Sequence, residues 1–571
     1  MAPLLLSEAV KMIGHKRRNE SYGISREPAM IALALFVIAI LIIFILYPLF
    51  SIMQTSFRSS DGVWSLQSYV DTLQNRNFGK AFSNTMRLGL TTGFFSTLVG
   101  FFYAYTLECV KSPLKPFLRL VEILPLITPP FVLSFSAIML LGKRGLITFG
   151  LLGLKKWNIY GFHGLVIVQT MSFFPIASMT FEGLFQNFDV SMEEAARNMG
   201  AGRVKVFLTV TLPMMLSGIA NVFLLSFIES VTDFSNPTVL GGGYTTLATQ
   251  VYVQAIGNYN IQAGTTYAMI LLLVTVAAFT LQKAFLDKRS FVTLTGKATR
   301  EREMIADRSV TIPCNVFCVL ICAAVLLFYV FMILGGFFAK WGADYTLVLD
   351  NFEFVLSRSG KPIGDTLLIS LLVAPLCSLL SVMVGYLIVR KRFTGRGFIE
   401  FVSLFGMAVP GTVFGLGYIL SFNTPPILLT NTLSILVIVL VMTRLPVGVR
   451  SSIAALRQID PSIEEAASNL GANATKVFSS VTVPLIKPSF FSSWVFSFIK
   501  SMTAISAVIF LVSANYNLLT VRVMQHVDKG QFGYACALST VLIVIVLFIV
   551  TLMRAALKRM GVSSDVNDLM K

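Results

Sequence analysis

Apolar runs of about 20 residues recur from one end of this 571-residue chain to the other, and a run of that length crosses the hydrocarbon layer of a bilayer as a helix. Inside lipid no water is present to satisfy backbone N–H and C=O groups, so an open strand or loop would leave them unpaired at several kcal/mol each. Transmembrane strands are about half this long, which excludes a barrel. The runs predict twelve spans, at roughly 28–50, 85–107, 120–141, 161–181, 211–235 and 265–285, then 312–336, 366–389, 398–420, 432–450, 482–510 and 533–553. The expected fold class is an all-α membrane protein with about 12 transmembrane helices.

The first run lacks a small-residue cleavage site and follows Lys11, Lys16, Arg17 and Arg18, so it reads as a retained span with its N-terminus in the cytoplasm. With that orientation about 29 of the 45 Lys and Arg fall in cytoplasmic segments and about 12 in external ones, as the positive-inside rule requires, with Arg87, Arg444, Lys487 and Lys500 within or at the edge of spans. Topology and contact with anionic lipid therefore account for the net charge of +17, and no basic motif with interleaved aromatics points to nucleic acid. Lys143, Arg144, Lys155 and Lys156 form an external basic exception and mark a candidate partner surface.

The chain is duplicated. Met192-Glu-Glu-Ala-Ala-Arg-Asn-Met-Gly200 returns 271 residues later as Ile463-Glu-Glu-Ala-Ala-Ser-Asn-Leu-Gly471, and each copy reaches a proline thirteen residues past its glycine, Pro213 and Pro484. Asn84-Thr85 and Asp365-Thr366 open the second span of each half, Pro129-Pro130 and Pro410 interrupt the third, and Ser226-Phe227-Ile228 matches Ser497-Phe498-Ile499. Six spans per half return the chain to its starting side, giving two parallel six-span repeats related by a pseudo-twofold. The expected division is a cytoplasmic segment 1–27, a first half 28–286 with its repeated loop at 189–213, a linker 287–310, a second half 311–554 with its loop at 460–484, and a cytoplasmic tail 555–571.

Each repeated loop spells a short capped helix. Asp189 and Asp460 can accept from the first free N–H groups, Pro461 suits the first helical position, and Ser191 with Glu194, or Ser462 with Glu465, has capping-box spacing. The alanine pairs Ala195-Ala196 and Ala466-Ala467 keep one face thin, and Gly200 or Gly471 permits the left-handed turn that ends a helix. Taken alone, such a segment is an ordinary amphipathic surface helix; two copies at matched topology argue for a partner that approaches the backbone closely.

Glu-Ala-Ala, three residues, Gly, nine residues, then an aliphatic and a proline resembles the EAA loop of the permease subunits of ATP-binding cassette importers, and the resemblance covers both halves. Val210 and Val481 replace the usual Ile, and Val483-Pro484 replaces Leu-Pro, with apolar character kept. The resemblance implies the type I importer fold. It makes Glu193, Glu194, Ala195, Ala196 and Gly200, with Glu464, Glu465, Ala466, Ala467 and Gly471, the contacts to two cytoplasmic ATPase subunits. It also implies an external solute-binding protein, residence in the bacterial inner membrane with both termini cytoplasmic, and a path lined by spans 3, 4 and 5 and by 9, 10 and 11. No Gly-rich phosphate loop is present, since Ser359-Gly360-Lys361-Pro362 lacks the first Gly and the Ser or Thr. ATP and Mg2+ are therefore expected in a partner, with no cofactor, metal site or catalytic residue in this chain.

Its fused form resembles the ferric-iron, thiamine, phosphonate and sugar-phosphate importers, and Glu229-Ser-Val-Thr-Asp233-Phe-Ser-Asn-Pro237 with Val239-Leu240-Gly241-Gly242 resembles the ferric-iron type. Charges inside spans cost about 2.5–3.5 kcal/mol at a helix centre and so face a cavity or a partner. Glu229 lies sixteen residues beyond Pro213 and Lys500 sixteen beyond Pro484. Glu229, Asp233 and Lys500 are the candidate gate or solute contacts; a helix-packing ion pair away from the path is the alternative. Cys314, Cys318 and Cys322 at i, i+4, i+8 read as small packing residues, and His15, His163 and His526 are scattered. A gradient-driven secondary transporter would also show two six-span halves, but Val110-Lys111-Ser-Pro-Leu-Lys-Pro116 lacks the loop signature of the major facilitators.

Overall fold

The computed structural model describes residues 22–23, 28–59, 62–154, 157–186, 188, 190–288 and 303–559. Lys11, Lys16, Arg17, Arg18, Lys155, Lys156, Asp189, linker residues 289–302 and the tail beyond 559 lie outside the described residues. Helices dominate. In chain order the principal ones are α1 (Pro28–Ser56), α2 (Arg76–Cys109), α3 (Lys115–Ile127), α4 (Phe131–Leu141), α5 (Phe162–Gln186), α6 (Ser191–Asn198), α7 (Leu212–Thr232) and α8 (Ile261–Lys288). The second half continues with α9 (Arg308–Phe337), α10 (Gly360–Arg390), α11 (Arg396–Phe405), α12 (Gly411–Phe422), α13 (Leu433–Gln458), α14 (Pro461–Asn469), α15 (Lys487–Met502) and α16 (Phe532–Arg559).

Ten helices among the described residues are long and apolar enough to cross a membrane, eleven with one bent pair, against the twelve expected. The differences fall at prolines. The third run is divided by Thr128-Pro129-Pro130 into α3 and α4. Its counterpart breaks before Pro410 and bends by 114° between Arg396–Ala408 and Gly411–Phe422. The eleventh run is cut near Ile486, between Pro484 and Pro488, leaving the 16-residue α15. A proline lacks the N–H that continues the ladder, and irregular backbone survives at membrane depth only where protein surrounds it. Thr128, Pro129 and Val409 are buried accordingly.

The two halves exchange their first spans. Helix α1 packs on the second half, where the Tyr418 hydroxyl donates to Phe44 O at 2.8 Å, Ser421 Oγ lies 2.7 Å from Ser51 Oγ, and Phe44 and Tyr47 flank the Phe422 ring. Helix α9 packs on the first half through Tyr329 Oη to Thr128 Oγ1 (2.5 Å), Tyr103 Oη to Cys322 Sγ (3.1 Å) and the Phe102–Phe317 ring pair. Cys318 and Cys322 thus serve the packing role read from their spacing. Short parallel pairings seal both exchanges: Tyr22–Gly23 pairs with Lys391–Arg392, and Val110 with Ile305.

Within each half the tightest seam runs between the second and fourth spans. Gly100 of α2 meets Ala177 of α5, and in the second half the small residue has changed sides, Gly448 of α13 facing Ser381 of α10. Without hydrophobic drive between helices in lipid, such small residues permit close backbone approach. A Cβ on Gly100 would stand 2.6 Å from the Ala177 Cβ and 2.8 Å from Ser178 N. We predict that Gly100→Ala destabilises the detergent-purified protein by about 1–3 kcal/mol, whereas Gly79→Ala in the same helix, with open space around it, gains up to about 1 kcal/mol; thermal unfolding of the two variants measures this.

Candidate functional site

Both repeated segments fold as the sequence predicts, as short helices, α6 and α14. Each ends in a left-handed glycine, Gly200 at φ +84° and Gly471 at φ +89°. The turns match bond for bond: Gly200 N donates to Arg197 O and Ala201 N to Ala196 O, while Gly471 N donates to Ser468 O and Ala472 N to Ala467 O. This double pattern closes a helix only where the C′ residue tolerates positive φ.

The N-termini correct the expected capping box. Pro461 opens α14 and the Asp460 carboxylate accepts from Ser462 N at 2.9 Å, so Ser462 lies inside the helix rather than capping it. Ser191 is likewise the first residue of α6, preceded by Val190. The bonds from Ser462, with the Arg390 guanidinium adding to them, hold the Asp460 carboxyl below the usual carboxylate range. A depressed carboxylate stabilises the fold above its unfolded value of about 3.9 and loses that contribution only as pH falls through the lower folded value.

The two glutamates of each repeat divide the work. The first is buried: Glu193 Oε1 accepts from Thr211 Oγ1 at 2.6 Å, and Glu464 Oε1 from Thr482 Oγ1 at 3.0 Å. Thr211 and Thr482 lie at the entry to the fifth span of each half, so a carboxylate ties each short helix to the transmembrane helix that follows. Glu464 also accepts from Arg390 Nε at 3.1 Å, and Arg390 donates to Leu456 O and Ile459 O. Glu194 and Glu465 are half-buried, while Ala195 and Ala466 are exposed; Ala196 is buried and Ala467 half-buried.

Sequence reasoning missed the apolar rim. Met192 and Met199 in one copy, and Ile463 and Leu470 in the other, stand out from the surface, Met199 at 82% and Leu470 at 89% exposure. Their spacing of seven residues puts each pair on one helix face. The matched i, i+7 apolar pair in both copies was the available signal.

A second cluster joins the halves at depth. The charges within electrostatic reach of Glu229 on α7 are Lys500 on α15 and Arg444 on α13, both from the other half, and Asp233 from its own. Glu229, Arg444 and Lys500 lie deep in the molecule, yet each remains partly accessible. The cluster thus sits where the two halves meet. Arg444 Nη2 donates to Lys500 O at 3.1 Å, and Arg444 Nε has no partner. Among the described residues no ion pair within 4.0 Å joins Glu229 to either cation. Arg444 is eleven residues into α13, about 16 Å at 1.5 Å per residue and so near the middle of a hydrocarbon layer about 30 Å thick. The sequence reading counted Arg444 among the in-span charges without giving it a role.

Asp233 is placed differently. Its Oδ2 accepts from Gln169 Nε2 (2.8 Å) and Asn236 Nδ2 (2.7 Å), and its Oδ1 from the backbone N–H of Ser235 (2.9 Å) and Asn236 (3.3 Å). Gln169 Oε1 in turn accepts from Thr92 and Ser230. Four donors saturate this carboxylate, which fixes the chain where it leaves α7. The chain beyond the fifth spans is held by another matched pair: Thr85 Oγ1 accepts from Leu247 N, and Thr366 Oγ1 from Leu519 N, each at 2.8 Å.

Residues 89–291 and 377–561 each match the family described as binding-protein-dependent transport system inner membrane component. The chain is 33% identical over 533 residues to ferric transport system permease protein FbpB of Actinobacillus pleuropneumoniae, covering 91% of this chain and 77% of that one. It is 34% identical over 529 residues to putative ferric transport system permease protein FbpB 1 of Haemophilus influenzae, covering 89% and 83%. A shorter match, 34% over 146 residues, covers 24% of this chain and 62% of molybdenum transport system permease protein ModB of Escherichia coli.

The division between the paired glutamates is testable. Glu464→Ala leaves the Arg390 guanidinium, 10% exposed, without its carboxylate and is expected to destabilise by about 3–5 kcal/mol. Glu465→Ala is expected to stay within about 0.5 kcal/mol. Thermal unfolding of both variants, with amide exchange along α14 at about pH 7, separates them.

Proposed function

Because the chain belongs to the family of binding-protein-dependent transport system inner membrane components, we propose that it is the two-half permease of an ABC importer and carries ferric iron delivered by a solute-binding protein. The face bearing α6 and α14 is the cytoplasmic one, both termini lie on that side, and two ATPase subunits that bind ATP and Mg2+ each receive one of the short helices. The chain itself is a transport subunit of the inner membrane.

One observation carries the coupling role: the same device occurs in both halves, with an exposed apolar rim for a partner and a buried glutamate tying the helix to a fifth span. Closure of the ATPase dimer brings α6 and α14 together, and the ties pass that displacement to α7 and α15. Glu229 and Lys500 sit near the far ends of those helices, sixteen residues beyond Pro213 and Pro484. A rigid displacement of either helix therefore changes their separation, which makes the trio with Arg444 the gate. The ferric assignment follows the two relatives matched over most of the chain.

The reading predicts that vanadate-sensitive ATP hydrolysis appears only when this chain is reconstituted with its cognate ATPase, and that a solute-loaded binding protein stimulates it. Replacing Gly200 and Gly471 by Ile puts a β-branched side chain where φ exceeds +80°, and is expected to uncouple hydrolysis from uptake or to release the ATPase. Normal assembly and ferric uptake with both positions altered would overturn the coupling assignment. Uptake with no nucleotide-hydrolysing partner would overturn the importer.

A further inference from the structure

The charge balance at the gate bears on the form in which cargo crosses. The two cations there are Arg444 and Lys500, and the acid is Glu229. Asp233, the other carboxylate in reach, is saturated by four donors. Symmetry does not restore the balance. The residue 271 positions before Arg444 is Phe173, and that after Asp233 is Ala504, so the excess positive charge belongs to the second half alone. Arg444 Nε, buried and without a partner, is a donor held in reserve beside the path.

A trivalent cation needs several oxygen donors in place of its hydration shell. Among the described residues no group of three or more His, Cys, Asp or Glu could hold a metal ion. A bare ferric ion would meet one free carboxylate and two repelling cations. An oxyanion would meet two charge-assisted donors, one of them the planar fork that suits carboxylate and phosphate geometry.

We propose that this gate passes anionic cargo: the solute crosses between Glu229, Arg444 and Lys500 carrying a phosphate-like oxyanion that Arg444 and Lys500 bind. The inference rests on the importer reading and deepens it. The oxyanion has two possible sources, ligands retained on ferric iron or an organic phosphate, and the test separates them.

The assembled importer, with its ATPase and binding protein, is reconstituted in liposomes with ATP on the ATPase side. One arm supplies radiolabelled ferric iron with and without labelled inorganic phosphate, in a medium otherwise holding only chloride; the other supplies labelled glycerol phosphate. The expected result is ferric uptake that falls at least about tenfold without phosphate, with at least one phosphate entering per iron. Ferric uptake at full rate from chloride alone overturns the proposal and leaves the ferric reading standing. Entry of glycerol phosphate with no iron entry under either condition supports the anionic gate and overturns the ferric reading. No entry of any label, with hydrolysis still stimulated, overturns both. Lys500→Gln and Arg444→Gln should each reduce uptake at least about tenfold, whereas Lys500→Arg, which keeps the charge, should retain it; wild-type uptake by both glutamine variants in complexes that assemble normally overturns the proposal.

Discussion

Two hydrogen bonds, Thr211 to Glu193 and Thr482 to Glu464, are the mechanical centre of the coupling proposed for this protein. A short helix on a membrane protein's surface moves nothing unless it is fixed to something that spans the bilayer. In each half the first glutamate of the repeat is turned inward and held by a buried hydroxyl at the entry to the fifth span. A buried carboxylate without a partner is costly, so the bond between them is hard to give up. In the proposed coupling the exposed face of α6 reaches Glu229 through one unbroken helix, and that of α14 reaches Lys500 across the single break at Ile486.

The rest of the architecture keeps that lever from simply tilting one half. With α1 seated on the second half and α9 on the first, neither half can swing free of the other. The family match begins inside the second span of each half and leaves both exchanged spans outside it. The shared core is thus the four or five inner spans, and the exchanged helices are clasps added around it. The breaks at Pro129-Pro130 and Pro410 lie inside that core, in the third span of each half, where buried surroundings enclose the interrupted backbone. In the proposed gate, at about 6 Å and an effective dielectric near 20, one cation would repel a trivalent ion by about 8 kcal/mol.

Much of this was legible in the residues. Span order, duplication, the left-handed glycines and the proline breaks all follow from local rules, because apolar length, a missing N–H and a missing Cβ act within a few residues. The exchange of first spans was not legible, since hydrophobic patterning shows which side of a helix is apolar and never which neighbour covers it. The paired glutamates read as equivalent in sequence; only packing shows that Glu193 and Glu464 turn in. Asp233 looked like a path residue because in-span acids are expensive, yet Gln169, 64 positions away, removes that cost. Arg444 was visible as an in-span charge, but its place beside Lys500 depends on how α13 crosses α15.

The most direct measurement of the account follows two distances at once in the assembled complex by paired spin labels: Met199→Cys with Leu470→Cys on the short helices, and Gly243→Cys with Ala514→Cys on the exposed turns beyond the fifth spans. Trapping with ATP and vanadate is predicted to shift both distances together, and Thr211→Val with Thr482→Val to leave the first shift intact while abolishing the second. A second shift of full size in the threonine variants would contradict the account.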